Sequence, residues 1–211
     1  SVDIGRPFQL ADREVLLSFD DGPSPAHTPS VLRTLDLFGV GAVFFMVGVN
    51  ATRWPATAQQ VRAHGHLVGS HTATHPPLVE MPPGTAAAEI AEGHAAVGQA
   101  LGSAPAPLFR FPYLEDSAAL REIVGRQGLV VVGADMMILD WTDRTPDEIL
   151  AIALDEIGRA GGGTVVLHDV QGRTARMLPW LLATLARRGY SVVTPTLAAR
   201  VERPGEVAVA A

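Results

Sequence analysis

Short apolar runs rich in Val, Leu, Ile and Phe alternate along the chain with longer stretches of mixed polarity. The runs at residues 14–19, 42–47, 66–70, 108–111, 129–133, 163–167 and 190–194 predict seven strands. The stretches at 28–38, 54–64, 85–101, 117–126, 146–159 and 174–188 predict helices. Several have a recognisable start: Thr28 precedes Pro29, Asp116 or Ser117 can cap, and Thr145-Pro146-Asp147-Glu148 joins a cap residue to proline and first-turn acids. Strand followed by helix, repeated throughout, implies an α/β fold with a parallel sheet and crossover helices. Eight full units run to about 250 residues, and this chain has 211. A distorted or incomplete (β/α) barrel of about seven parallel strands therefore fits better than a doubly wound sheet. We expect one domain over residues 1–211 with its core at about 14–200. Residues 76–84 hold four prolines and read as an extended loop, and the Ala/Val-rich tail after Pro204 as a loosely held terminus.

Composition removes whole classes of chemistry. A net charge of −6 and a pI near 5.6 give no basic surface for nucleic acid. All 16 basic residues are arginine, so Schiff-base and P-loop lysines are excluded. No cysteine is present, which rules out disulfides, thiolate nucleophiles and thiolate-bound metals; a metal must rest on His, Asp or Glu. No apolar run has the length of a membrane span, and Ser1 opens without the pattern of a signal peptide. Compartment and oligomeric state stay open, a monomer being compatible.

The unusual polar residues fall where the strands end. Ser18-Phe19-Asp20-Asp21-Gly22 closes the first, His71-Thr72-Ala73-Thr74-His75 follows the third, and Arg110-Phe111-Pro112-Tyr113 closes the fourth. Asp140-Trp141 follows the fifth, and His168-Asp169 ends the run at 163–167. In a parallel α/β barrel these ends share one face, and that face builds the active site. Each segment alone has an ordinary reading: Asp-Asp-Gly-Pro as a turn cap, His-x-x-x-His as surface, Arg110 as an ion-pair residue, His168 as a core histidine and Trp141 as packing. Their convergence favours chemistry. Two imidazoles and one carboxylate are a common catalytic zinc set, so His71, His75 and Asp21 are candidate ligands, with the two imidazoles expected on one side of a helical turn. Asp20, expected to point to the other side of an extended strand end, is the candidate base for a metal-activated water.

These segments, in this order, resemble the polysaccharide deacetylases, the carbohydrate esterase family with the NodB homology domain, from Val15 to Thr196. The resemblance implies that Asp20 is the base, that Asp21, His71 and His75 hold the metal, and that Arg110 orients the base. It implies that the Tyr113 N–H stabilises the oxyanion, that His168 is the acid, that Asp140 tunes it, and that Trp141 forms a groove wall. Two positions depart from the family pattern: Met137 stands where an acid is usual, and Val166 where a pocket leucine is usual. The implied activity is hydrolysis of acetamides on N-acetylated sugar residues, on a carbohydrate partner, with a divalent metal, zinc first and cobalt, nickel or iron as alternatives. A secreted or cell-envelope location and a deformed barrel of seven or eight strands go with it.

Rival readings keep the fold and change the substrate, to a non-sugar amide or an O-acetylated polysaccharide, or make the chain a catalytically silent carbohydrate-binding protein. A glycosidase needs two flanking carboxylic acids and fits poorly. His27, His64, His66 and His94 lack a partner set of ligand spacing, and His66 is read as structural. Met46, Met81, Met136, Met137 and Met177 read as core or pocket filling, and Trp54 as packing at a helix start. Short loops suggest an open groove rather than a closed pocket.

Overall fold

The strand β2 (Glu14–Asp20) is buried from Val15 onward, and the period-2 direction of its side chains divides the interior. Val15, Leu17 and Phe19 face outward into a layer shared with Leu35, Leu178 and Leu181 of the surrounding helices. Leu16 joins Val43, Phe45, Leu108, Val132 and Val193 in a cluster made of strand and loop residues inside the curl of the sheet. By the same alternation Ser18 and Asp20 share the inner side with Leu16, so β2 turns its polar groups inward at its carboxyl end. Each fully buried Leu or Phe contributes on the order of 1.5–3 kcal/mol, enough for the outer layer to seat the helices.

The computed structural model describes residues 1–197 apart from 4, 6 and 7. The tail after Pro204 lies outside the described residues. After β1 (Val2–Asp3) and β2 come α1 (Thr28–Phe38), β3 (Val43–Met46), α2 (Gly48–Arg53), α3 (Pro55–Ala63), β4 (Leu67–Ser70) and α4 (Pro83–Leu101). They are followed by β5 (Leu108–Phe109), α5 (Ala118–Arg126), β6 (Val130–Val131), β7 (Met136–Met137), α6 (Pro146–Ala160), β8 (Gly163–His168), α7 (Gly172–Arg187), β9 (Ser191–Val192) and β10 (Pro195–Thr196). Seven parallel strands run in the order β6-β5-β4-β3-β2-β8-β7, and β9 pairs with the start of β2 at Glu14 and Val15. β6 and β7 do not pair with each other, so the sheet curls into an incomplete barrel that is open along that seam. β1 and β10 form a separate two-stranded ribbon.

The expected elements are present with shifted ends, and the differences have local causes. β7 and α2 are two and six residues long and leave little periodic signal. Thr145 and Glu148 form the full capping box of α6, and Ser117 caps α5 by accepting from Leu120 N–H at 3.3 Å. Thr28 does not cap α1: its hydroxyl donates to Asp169 Oδ2 and accepts from Ser24 N–H at 2.8 Å, and the cap position falls on His27, which makes no side-chain cap. Residues 76–82 are a loop with one 3-10 turn at Leu78–Glu80, and α4 begins at Pro83. Met137 is not core filling; it is 47% exposed, because β7 is an edge strand at the open seam.

Candidate active site

Arg110 follows β5, is completely buried, and organises the inner end of the barrel. Nη1 donates to Asp20 Oδ1 at 2.9 Å and to Ser18 Oγ at 2.7 Å, while Nε and Nη2 donate to the carbonyls of Val132 at 3.1 Å and Gly133 at 2.8 Å. Its guanidinium carbon lies 4.4 Å from the centre of the Phe45 ring. Burial pulls the guanidinium below its ordinary value and the adjacent Asp20 pushes back, but an arginine this well supplied with acceptors stays charged. Asp20 is thereby fixed in one orientation, only 4% exposed, at the end of β2.

The next residue leaves the strand. Asp21 has φ 72°, in the left-handed region, and Asn50 of α2 donates to its carbonyl at 2.8 Å. The separation of Asp20 from Asp21 thus comes from this turn and not from alternation along an extended strand end. The His71-to-His75 segment is likewise a loop rather than a helical turn: Thr72 and His75 have φ 67° and 65°. The two imidazoles still meet, with ring centres 4.8 Å apart.

Asp21, His71 and His75 each bring one ligand atom within 4.8 Å of the others, and they are the group of this kind found among the described residues. His71 Nδ1 bonds to the Arg110 carbonyl at 2.8 Å. Since a carbonyl only accepts, that nitrogen carries the proton, and the Nε2 lone pair faces Asp21 Oδ1 at 3.7 Å. His75 Nε2 lies 3.3 Å from the same oxygen. Burial lowers the His71 pKa against the upward pull of Asp20 and Asp21, keeping the ring neutral. Asp21 Oδ1 is buried with no hydrogen-bond partner among the described residues. A buried carboxylate oxygen facing two imidazole nitrogens without a bond is costly unless a cation sits between them, so the donor set fits a divalent metal.

His168 ends β8 on the opposite side of Asp21, with Nε2 3.9 Å from Asp21 Oδ2. Buried Asp140 accepts from His168 Nδ1 at 2.7 Å and from the His168 backbone N–H at 2.8 Å, and Thr174 donates to the same carboxylate. Burial pulls the His168 pKa down, but the Asp140 hydrogen bond and charge, with Asp21 and Asp20, outweigh it and push the value up to about 9. Trp141 is 42% exposed with its ring centre 5.3 Å from His168. Val166 is buried two residues before His168, on the same side of β8, and pairs with Ser18 and Met137. Tyr113 lies at a turn with φ 60°, exposed, its ring edge-on to His75 at 4.8 Å.

The structure therefore brings together Asp20, Asp21, His71, His75, Arg110, Tyr113, Asp140, Trp141, Val166 and His168. Sequence reasoning missed the residues that hold them: Asn50, Thr174 and Glu89, the last accepting from Ala73 and Thr74. None has a spacing that signals its role, because each acts across the fold. Asp169 is also buried, its pKa pushed up to about 7 by burial and by Asp21 against the Thr28 bond. Its Oδ1 would lie 2.3 Å from any Cβ at residue 22, which is why glycine follows Asp21.

Comparison with known proteins gives the family and the fold. Residues 9–132 match the family model described as polysaccharide deacetylase, and the chain belongs to that family. A peptidoglycan-N-acetylglucosamine deacetylase, PgdA, of Listeria monocytogenes is 31% identical over 89% of this chain. The chain spans 39% of the length of that relative. The structure of the Bdellovibrio bacteriovorus peptidoglycan deacetylase Bd3279 superposes with a TM-score of 0.84 at 36% identity, covering 90% of this chain and 54% of that one. A family 4 carbohydrate esterase from Streptomyces lividans, solved with acetate, superposes with a TM-score of 0.77 at 30% identity, covering 87% of this chain and 98% of that one.

Proposed function

We propose that this chain is a zinc-dependent deacetylase that removes acetyl groups from N-acetylglucosamine residues of an oligo- or polysaccharide, with peptidoglycan the first substrate to test. The observation that carries the proposal is that Asp21 Oδ1, unpartnered among the described residues, faces His71 Nε2 and His75 Nε2 with Asp20 and His168 beside it. The names of the Listeria and Bdellovibrio relatives support the substrate class.

Asp21, His71 and His75 would hold the ion, which when bound supplies Lewis-acid polarisation and a water of lowered pKa. Cobalt, nickel and iron suit the same donors. Asp20 takes the proton from the attacking water, its carboxylate aimed by Arg110, whose guanidinium Ser18 helps to fix. The backbone N–H of Tyr113, the residue whose ring lies beside His75, donates to the oxyanion. His168, charged at neutral pH through Asp140, gives its proton to the departing amine nitrogen. Trp141 lies against the sugar ring, and Val166 lines the space for the acetyl methyl, made wider by its shorter side chain.

The test is acetate release, with parallel detection of new primary amines, from peptidoglycan, N-acetylglucosamine oligomers and acetylated xylan. Amine formation equal to acetate release on the first or second supports the proposal. Acetate from xylan alone, without amine, replaces it with O-deacetylation, and no acetate from any of them with zinc bound rejects it.

A further inference from the structure

The loop between the two histidines is held from both sides, and on one side most of the bonds come from a single residue. On one flank the first backbone N–H groups of α2 donate to it, Gly48 to the Thr72 carbonyl at 2.9 Å and Val49 to the Ala73 carbonyl at 2.9 Å. On the other flank lies Glu89, in the second turn of α4. Its Oε2 accepts from the backbone N–H of Ala73 at 3.1 Å and of Thr74 at 3.0 Å, its Oε1 accepts from Thr74 Oγ at 3.0 Å, and its backbone carbonyl accepts from Ala73 N–H at 3.0 Å. Gly93, one turn further, lets the helix approach so closely that a Cβ there would lie 2.2 Å from the Thr72 carbonyl carbon. The loop between these supports is conformationally expensive, because Thr72 and His75 both sit at positive φ. Without the carboxylate the Thr74 N–H and hydroxyl lose the bonds that keep the chain in that shape, while the Ala73 N–H keeps the Glu89 backbone carbonyl.

We infer that Glu89 is a positioning residue for the metal: it fixes the 72–75 loop so that His75 meets His71 and Asp21 in ligand geometry. The inference rests on the metal reading above and assigns Glu89 no contact with substrate or reacting atoms. A carboxylate suits this place better than a neutral acceptor, since charge-assisted bonds to N–H groups are shorter and stronger. It also leaves the imidazoles free, because it holds the loop through backbone and Thr74 rather than through a ring nitrogen. Supports of this outer kind commonly change metal affinity by about 10–100-fold.

The experiment measures zinc affinity by chelator competition for the wild type, Glu89→Ala and Glu89→Gln, with amide exchange at Ala73 and Thr74 in the metal-free proteins. Circular dichroism and denaturant unfolding establish that each variant folds. The expected result is at least about 10-fold weaker zinc binding and faster exchange at the Thr74 amide in Glu89→Ala, the Ala73 amide keeping its backbone acceptor, with most of the affinity restored in Glu89→Gln, which keeps one acceptor oxygen. Thr74→Val, which removes only the hydroxyl bond, is expected to weaken binding less than Glu89→Ala and serves if that variant does not fold. Tight zinc binding by the wild type with unchanged affinity and exchange in Glu89→Ala overturns the inference and leaves the metal reading standing. Failure of the wild type itself to bind zinc removes the metal reading and the inference with it.

Discussion

Arg110 donates to Asp20 at 2.9 Å from a position with no exposed surface, while its own carbonyl accepts from His71 Nδ1 at 2.8 Å. One buried residue thus aims the candidate base through its side chain and sets the tautomer of a candidate ligand through its backbone. Deleting one partner of a buried ion pair leaves the other charge uncompensated, at roughly 3–5 kcal/mol. Arg110→Met should therefore lower stability by about that amount in denaturant unfolding and abolish most activity. A variant that unfolds at the wild-type midpoint would show that Asp20 finds other compensation.

Asp20 and Asp21 are neighbours in sequence with different roles in this account, and metal binding separates them. Asp20→Asn should lower kcat by roughly 10²–10⁴-fold while zinc affinity stays close to wild type. Asp21→Ala should lose both. Equal loss of zinc from the two variants would make Asp20 a ligand.

In the proposed mechanism the proton given by His168 matters in proportion to the basicity of the leaving group. His168→Ala should slow amide hydrolysis by roughly 10²–10⁴-fold and slow hydrolysis of an activated aryl acetate far less, because a phenolate needs little protonation. Comparable loss on both substrates would assign the residue to binding or folding instead.

His66 offers a pH test away from the candidate metal site. Its ring is buried 5.3 Å from Phe44 with both nitrogens unpartnered among the described residues, and burial, opposed by Asp36, pulls its pKa to about 4. In the unfolded chain a histidine titrates near 6.5, so between pH 6.5 and 4 the unfolded state binds the extra proton. This contribution is fully present above pH 6.5 and is lost as pH falls towards 4, by at most about 3 kcal/mol. His66→Phe should show a correspondingly smaller loss of stability than the wild type over that interval. Parallel stability curves would remove His66 from the acid response.

The strand-and-helix order was legible because β2, β3, β4 and β8 are continuous apolar runs and α6 announces itself with Thr145, Pro146 and Glu148. Asp20, His71 and His168 were legible as candidates because they sit at the ends of such runs. Less could be read where conformation depends on distant partners. Asp21, Thr72, His75 and Tyr113 adopt positive φ, which their residue types do not favour and which neighbours impose. Thr28 looks like a helix cap but serves Asp169, 141 residues away in sequence. Met137 reads as an apolar core residue, yet the open seam leaves it exposed.

The central claim is that Asp21, His71 and His75 hold a metal on which deacetylation depends. The most direct measurement is acetate release from an N-acetylglucosamine oligomer by wild-type, His71→Ala and His75→Ala proteins, stripped with chelator and then titrated with zinc. Wild-type activity should vanish on stripping and return in full at one zinc per chain, with neither variant recovering at that stoichiometry. Undiminished release by the stripped wild type, or full recovery by either variant at one zinc per chain, would contradict the claim.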